Sequence, residues 1–477
     1  MSDLIPAQPN VLPAPVNQFA IPAVTPLKRL AVRNGLLLDA ERWRVAHDYH
    51  RQRQNLHYQA LHLPGIVCGL AVSVTAPPDE VSARYRDERW LQISAGMAID
   101  AHGNLIVVDQ PLKLHLATIA LQEPQWVYLV IRHVDPEGLQ RSQPAEIVAE
   151  TFRLDEKTEP PGRLDVEICR ILLPPGDSPV TPAADVFCPG VGELDLRQRQ
   201  PAQLRPQATV RVAYATTTLA TSANRMQHSF AALLAATKAL YPPLQGGNDS
   251  ITEIDLNAPT ALTAAATNLP ALPADLAACD LLYLTHQQCL NLSAIAIERL
   301  NHYLDHGGVV MVELPGRDGN FEELQAVVGE LQAAVTDLQG SQRFADLFIQ
   351  LKDELLTAKN TLESRLATAQ RSLEAQLFGP EVTHRLQNPD DAHPLRSVPF
   401  TFSQWPPLQR EPLRLYATGG LVLVVGDLSQ AWGPGKDLNL PRDRVRAAQE
   451  LGINLLQFAW QRHHRTQTQQ GFAQPCD

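Results

Sequence analysis

Three short, almost wholly apolar runs in the second half of the chain constrain the fold most: Leu281 to Thr285 (LLYLT), Val309 to Leu314 (VVMVEL) and Gly420 to Gly426 (GLVLVVG). A strand with one face in water alternates apolar and polar residues, whereas a run without that alternation is buried on both faces, the habit of parallel sheets covered by helices. The spacing agrees. Ser293 to His306, between the first two runs, has helical length and stops at Gly307-Gly308, so strand, helix and strand make a βαβ unit. Thr209 to Tyr214 and a helix through Phe230 to Leu240 open the same rhythm; Pro412 to Tyr416 and a helix from Arg442 to Trp460 close it. Residues 208–320 and 379–465 are therefore expected to form a Rossmann-like α/β domain.

Residues 321–378 interrupt that rhythm. Apolar side chains fall at Leu324, Val328, Leu331, Val335 and Leu338, and after Gln339-Gly340-Ser341 at Phe344, Phe348, Leu351, Leu355, Leu362, Leu366, Leu373 and Leu377. Steps of three and four put them on one seam, which predicts two helices and a tight turn: an antiparallel coiled-coil hairpin with arms of about 30 and 50 Å. Leu355, Leu362, Leu366 and Leu373 are the candidate contacts if the hairpin projects as an interaction arm and is dispensable for folding. The competing expectation is an insertion packed on its own domain.

The first half reads differently. Asp39 stands at an N-cap position before Ala40 to Leu61, about six turns without Gly or Pro. The apolar stripe of this helix is narrow, and Arg42, Arg44, Arg51 and Arg53 crowd it together with His47, His50 and His57, so it is expected to bury surface against something other than its own small core. His47, His50 and His57 have spacing that suits a metal, yet no carboxylate or thiol converges on that face, so polar interface contacts are the preferred reading. Ile66 to Val74 is strand-like, with Gly69 marking a bulge or close approach, and Leu91 to Val108 reads as a hairpin turning at Asp100 to Gly103. Trp126 to Arg132 and Leu164 to Leu172 complete an α+β domain over 29–173. Residues 1–28 are a Pro-rich extended arm, 174–207 a Pro-rich linker and 466–477 a tail.

Composition removes several functions. The net charge of −11 opposes wholesale nucleic-acid binding, which needs a basic surface. Six cysteines scattered without CxxC spacing suggest neither a disulfide framework nor a zinc ribbon. A secretory signal and an apolar span of 18 residues are both missing from the pattern, so the expectation is synthesis in the cytoplasm. The sequence lacks GxxxxGK[ST], HExxH, GxGxxG and GxSxG. No cofactor or metal is expected.

Two resemblances follow from these residues. Asp48-Tyr49-His50 with Arg51, Arg53 and His57, then Gly65 to Leu70 (GIVCGL), then Ala95 to Asp100 (AGMAID) and Gly103, resemble an N-terminal module of proteins encoded beside contractile injection systems and phage tails. Over about 208–465, Asp280 to Thr285, Leu292-Ser293, Leu304 to Gly308, His393-Pro394-Leu395, Gly426-Asp427, Ala431-Trp432 and Leu451 to Asn454 resemble a prokaryotic domain family of unassigned function related to class I glutamine amidotransferases. The second resemblance implies a flavodoxin- or amidotransferase-like fold. Its active relatives carry a nucleophile on a strand-to-helix turn, but Pro315-Gly316-Arg317-Asp318-Gly319 here offers neither Cys nor Ser. Together the resemblances imply a non-enzymatic, baseplate-associated subunit that meets sheath, tube or other baseplate proteins in six-fold symmetry. The alternative is an amidotransferase-like or hydrolase-like enzyme using an unconventional Cys289/His286 pair. Asp427, Trp432 and His393 are candidates for a residual ligand pocket.

Overall fold

The computed structural model describes residues 26–135, 147–216, 220–257, 273–316, 321–338, 344–379, 385–408, 413–433 and 440–470. Most of the expected N-terminal arm, up to residue 25, and the tail beyond 470 lie outside the described residues. The chain is mixed α/β and forms two compact units, passing from one to the other between Arg205 and Pro206.

The first unit begins with α1 (Ala40–Leu61), started by the Asp39 carboxylate, which accepts a hydrogen bond from the Arg42 backbone N–H at 2.8 Å. The strands β1 (His62–Leu63), β2 (Gly65–Gly69), β3 (Val72–Val74), β4 (Trp90–Ile93), β5 (Gly96–Ile99), β6 (Leu105–Val108), β7 (Leu112–His115), β8 (Gln125–Val134), β9 (Thr151–Lys157), β10 (Val166–Leu173), β11 (Leu194–Asp195) and β12 (Gln203–Leu204) follow. They pair antiparallel in the orders β2-β5-β6, β3-β4-β7, β11-β10-β8-β9 and β1-β12. Leu70, Leu91, Ile93, Ile106, Leu116, Leu129, Ile131, Ile168 and Ile171 form their common core. Gly69 faces Gly96 in the β2-β5 register, and a Cβ on either would collide with the opposite backbone, so the close approach expected at Gly69 is real.

Residues 174–207 are not a linker. Val180 and Leu194 are buried in the core, β11 extends the sheet of β10, and β12 pairs with β1. The Arg199 guanidinium donates to the carbonyls of Leu70 at 2.6 Å, Ile168 at 2.9 Å and Gly69 at 3.1 Å. Proline density forbids helix, but it does not forbid extended chain from lying on a core when side chains and bridges supply the hydrogen bonds.

In the second unit β13 (Ala208–Ala215), α2 (Ala220–Leu240), β14 (Leu244–Ile254), α3 (Ala274–Ala277), β15 (Leu281–Thr285), α4 (His286–Leu290), α5 (Ala294–Asp305), β16 (Val309–Leu314), α6 (Phe321–Leu338), α7 (Ala345–Phe378), α8 (Pro394–Ser397), β17 (Arg414–Thr418), β18 (Leu421–Val425) and α9 (Arg442–Gln470) succeed one another. Six strands form one mixed sheet in the order β14-β13-β15-β16-β18-β17, parallel except for β17. The apolar runs have a simple cause. Leu281, Tyr283, Met311, Val422 and Val424 pack with α2 and α9 on one face, while Leu282, Leu284, Val310, Val312, Leu423 and Val425 pack with α4, α5 and α7 on the other. β14, interrupted in sequence by Gly246-Gly247-Asn248, escaped the strand pattern, and α9 continues to Gln470 through residues expected as tail.

α6 and α7 pack on each other, but the second half of α7 also lies on α4 and α5. Leu362, Leu366, Leu373 and Leu377 belong to the core on that face, joined by Phe321. The Asn301 amide donates to the Leu377 carbonyl at 2.8 Å, and the Arg414 guanidinium meets the Glu363 carboxylate at 2.6 Å. The expectation that Leu355, Leu362, Leu366 and Leu373 face a partner is thus overturned: all four are buried within this chain. The second half of α7 found its cover in α4 and α5 of its own domain.

Candidate functional site

The basic helix lends few of its side chains to the core of its own unit. None of the residues of α1 is buried. It is fixed to its unit by polar contacts along one side and near its end. The Asn55 and Asn104 side-chain amides lie 2.6 Å apart, the Gln59 amide donates to the His102 carbonyl, and Arg205 donates to the Gln59 carbonyl at 3.1 Å. The receiving turn is built by Asp100, whose carboxylate accepts from the backbone N–H groups of His102 and Asn104 at 2.8 and 2.9 Å. Gly103 follows at φ +75°, and a Cβ there would strike the Asn55 carbonyl. Arg51 pairs with Asp48 at 2.9 Å and Asp135 at 3.0 Å, and Arg42 donates to the Leu37 carbonyl at 2.6 Å.

The opposite side of α1 carries Trp43, His47, His50, Gln54, His57 and Leu61, all exposed. Steps of four and three keep them within about 40° of one line along the helix at roughly 100° per residue. Trp43 is 56% exposed and meets the His47 ring edge-on at 5.3 Å between centroids. Arg44 and Arg53 are also exposed and flank this stripe on its two sides. Of the candidates read from sequence, Arg44, His47, His50, Arg51, Arg53 and His57 are therefore exposed on one helix. Among the described residues no group of three or more His, Cys, Asp or Glu side chains is arranged to hold a metal ion.

The second unit places its chemistry at the carboxyl ends of the parallel strands, where α/β folds bind ligands. Glu313 of β16 is 2% exposed and accepts hydrogen bonds from the Tyr283 hydroxyl at 2.7 Å, the Ser429 N–H at 2.8 Å and the Ser429 hydroxyl at 2.5 Å. Burial pushes its carboxyl up to about 7 despite these donors. Tyr283 and Ser429 are themselves buried, so the group ties the turn after β18 to β16 without meeting solvent. Sequence reading passed over Glu313; the one carboxylate inside VVMVEL was the available signal.

The other candidates in this unit are structural. Cys289 is fully buried, and burial pushes its thiol up to about 12, which disfavours the thiolate form. His286 approaches the Ala369 carbonyl at 3.4 Å. Trp432 is buried against Phe230 and donates to the Ala448 carbonyl at 3.1 Å. His393 caps α8 by accepting from the Leu395 N–H at 3.2 Å, and burial holds its imidazole below the usual range. Asn454 fixes the same corner: its amide donates to the Leu395 and Phe400 carbonyls at 3.0 and 2.6 Å, and its oxygen accepts from the Phe400 N–H at 2.9 Å.

The second unit is thus a mixed-sheet α/β domain with both faces of its sheet covered. Residues 251–460, within it, match the model of a family described as a domain of unknown function, DUF4159. No curated protein matches the chain. No helix among the described residues is long and apolar enough to cross a membrane.

Proposed function

We propose that this chain is a non-enzymatic structural component of a contractile, phage-tail-like particle, associated with the baseplate and acting through protein–protein contacts with sheath, tube or other baseplate subunits. The observation that carries the reading is α1. A helix of 22 residues with none buried, held by polar contacts on one side, leaves its Trp43 side to a neighbour. The resemblance of its DYH segment, together with the GIVCGL segment at β2, to a particle-associated module supplies the kind of neighbour. The second unit fits this role as a Rossmann-like, amidotransferase-like scaffold carrying a helical hairpin, with Pro315-Gly316 where active relatives begin a nucleophile turn and with Cys289 held as a buried thiol. Six-fold repetition would follow from the symmetry of such a tail.

The test is purification of the full chain with its neighbouring gene products. Co-sedimentation with sheath and tube, and six-fold density in particle images, are expected. A monomer that never accompanies those proteins and hydrolyses an amide or ester at a rate abolished by Cys289→Ala overturns the proposal.

A further inference from the structure

Deepening and resting on that reading, we infer that the Trp43 face of α1 receives one α-helix of another protein, a helix with an apolar seam flanked by Asp and Glu. The spacing argues for a helix. Trp43, His47, His50, Gln54, His57 and Leu61 repeat in steps of four and three, the stripe that two packed helices share, and all six are exposed. The other side of the helix is already committed, since the Asn55 and Gln59 side chains bond to the turn at His102 to Asn104. What packs here therefore meets side chains from a rigid, preformed helix rather than an open strand edge.

Charge selects the partner's flanks. Arg44 and Arg53 border the stripe on opposite sides, while Glu41 points away from it by about 160° at roughly 100° per residue. In helix pairs the positions bordering the seam set partner choice through opposite charges. The whole chain carries a net charge of −11, so the basic helix stands out locally and its partner is expected to be acidic only where it touches. Trp43, large and half-exposed at the head of the stripe, supplies the anchor that such contacts concentrate on.

The experiment places the photo-crosslinker benzoylphenylalanine at His50, inside the stripe, or at Gln52, on the far side, in the full-length chain within its native cells. Both positions are exposed, so folding is not at stake. Mass spectrometry then locates the joined peptide. The expected adduct from His50 is a segment of another protein with apolar residues in three-four spacing and acidic flanks, at least about fivefold more abundant than from Gln52 and cut about fivefold by Arg44→Glu with Arg53→Glu. Adducts to nucleic acid, to lipid, to residues 1–25 of the same chain, to a second α1 or to a basic segment overturn the inference, as does a His50 yield no greater than that of Gln52. An acidic helix from a protein outside any particle sustains it while sinking the baseplate reading. Particles that carry the chain but give no His50 adduct do the reverse.

Discussion

Glu313 shows how one residue can be invisible in a hydrophobic pattern and still govern a local structure. Its carboxyl lies near 7 in the folded chain against an ordinary value of 4.5, so the folded state holds a proton that the unfolded state releases first. The stability this group contributes is complete below about pH 4.5 and is lost as pH rises through about 7. At about 1.4 kcal/mol per pH unit the difference is roughly 3 kcal/mol. Urea unfolding at pH 5 and pH 8 should show wild type losing about that much more stability than Glu313→Gln over the interval; equal losses would remove Glu313 as the source. Arg199 offers a second test, because it satisfies three backbone carbonyls at the Gly69-Leu70 corner, where Leu70 has φ +53°. Arg199→Ala should cost about 3 kcal/mol, read from the denaturant midpoint. A mobile linker residue would cost almost nothing.

Elements differ in how far their surroundings decide them. α5 is set locally, by the Ser293 cap, whose hydroxyl accepts from the Ala296 N–H at 3.3 Å, and by the Gly307-Gly308 stop. The α6-α7 pair is not, since its apolar seam says only that something covers it. Packing of Leu362 to Leu377 on α4 and α5 makes the base of the pair part of the domain, so removing residues 321–378 should abolish cooperative unfolding. The Lys359 ammonium donates to the Gln332 side-chain oxygen at 2.6 Å, marking where the two helices still run side by side. Replacing residues 333–358 with a short Gly-Ser turn should keep the thermal midpoint within about 5 °C, measured by circular dichroism. A collapse on trimming would mean that the distal helices also hold the fold.

At the scale of the whole molecule the two units have separate cores, and among the described residues the chain passes from one to the other between Arg205 and Pro206. Expressed separately, residues 26–205 and 206–474 should each unfold cooperatively, and their circular dichroism spectra should sum to that of the full chain. An aggregated first half would show that its core is incomplete alone. The amino-acid sequence by itself determined the elements governed by neighbours in the chain: the doubly buried strands, the Asp39 and Ser293 caps, the turn at Asp100 to Gly103 and the extent of α1. It also set apart the stripe and charges of α1. The tertiary structure alone decided what those apolar and polar groups meet. It turned a proline-rich segment into part of a sheet, bonded Glu313 to Ser429, buried Cys289 and laid the leucines of α7 on α4 and α5. Periodicity records that a face must be covered, and only contacts between residues far apart in the chain say by what.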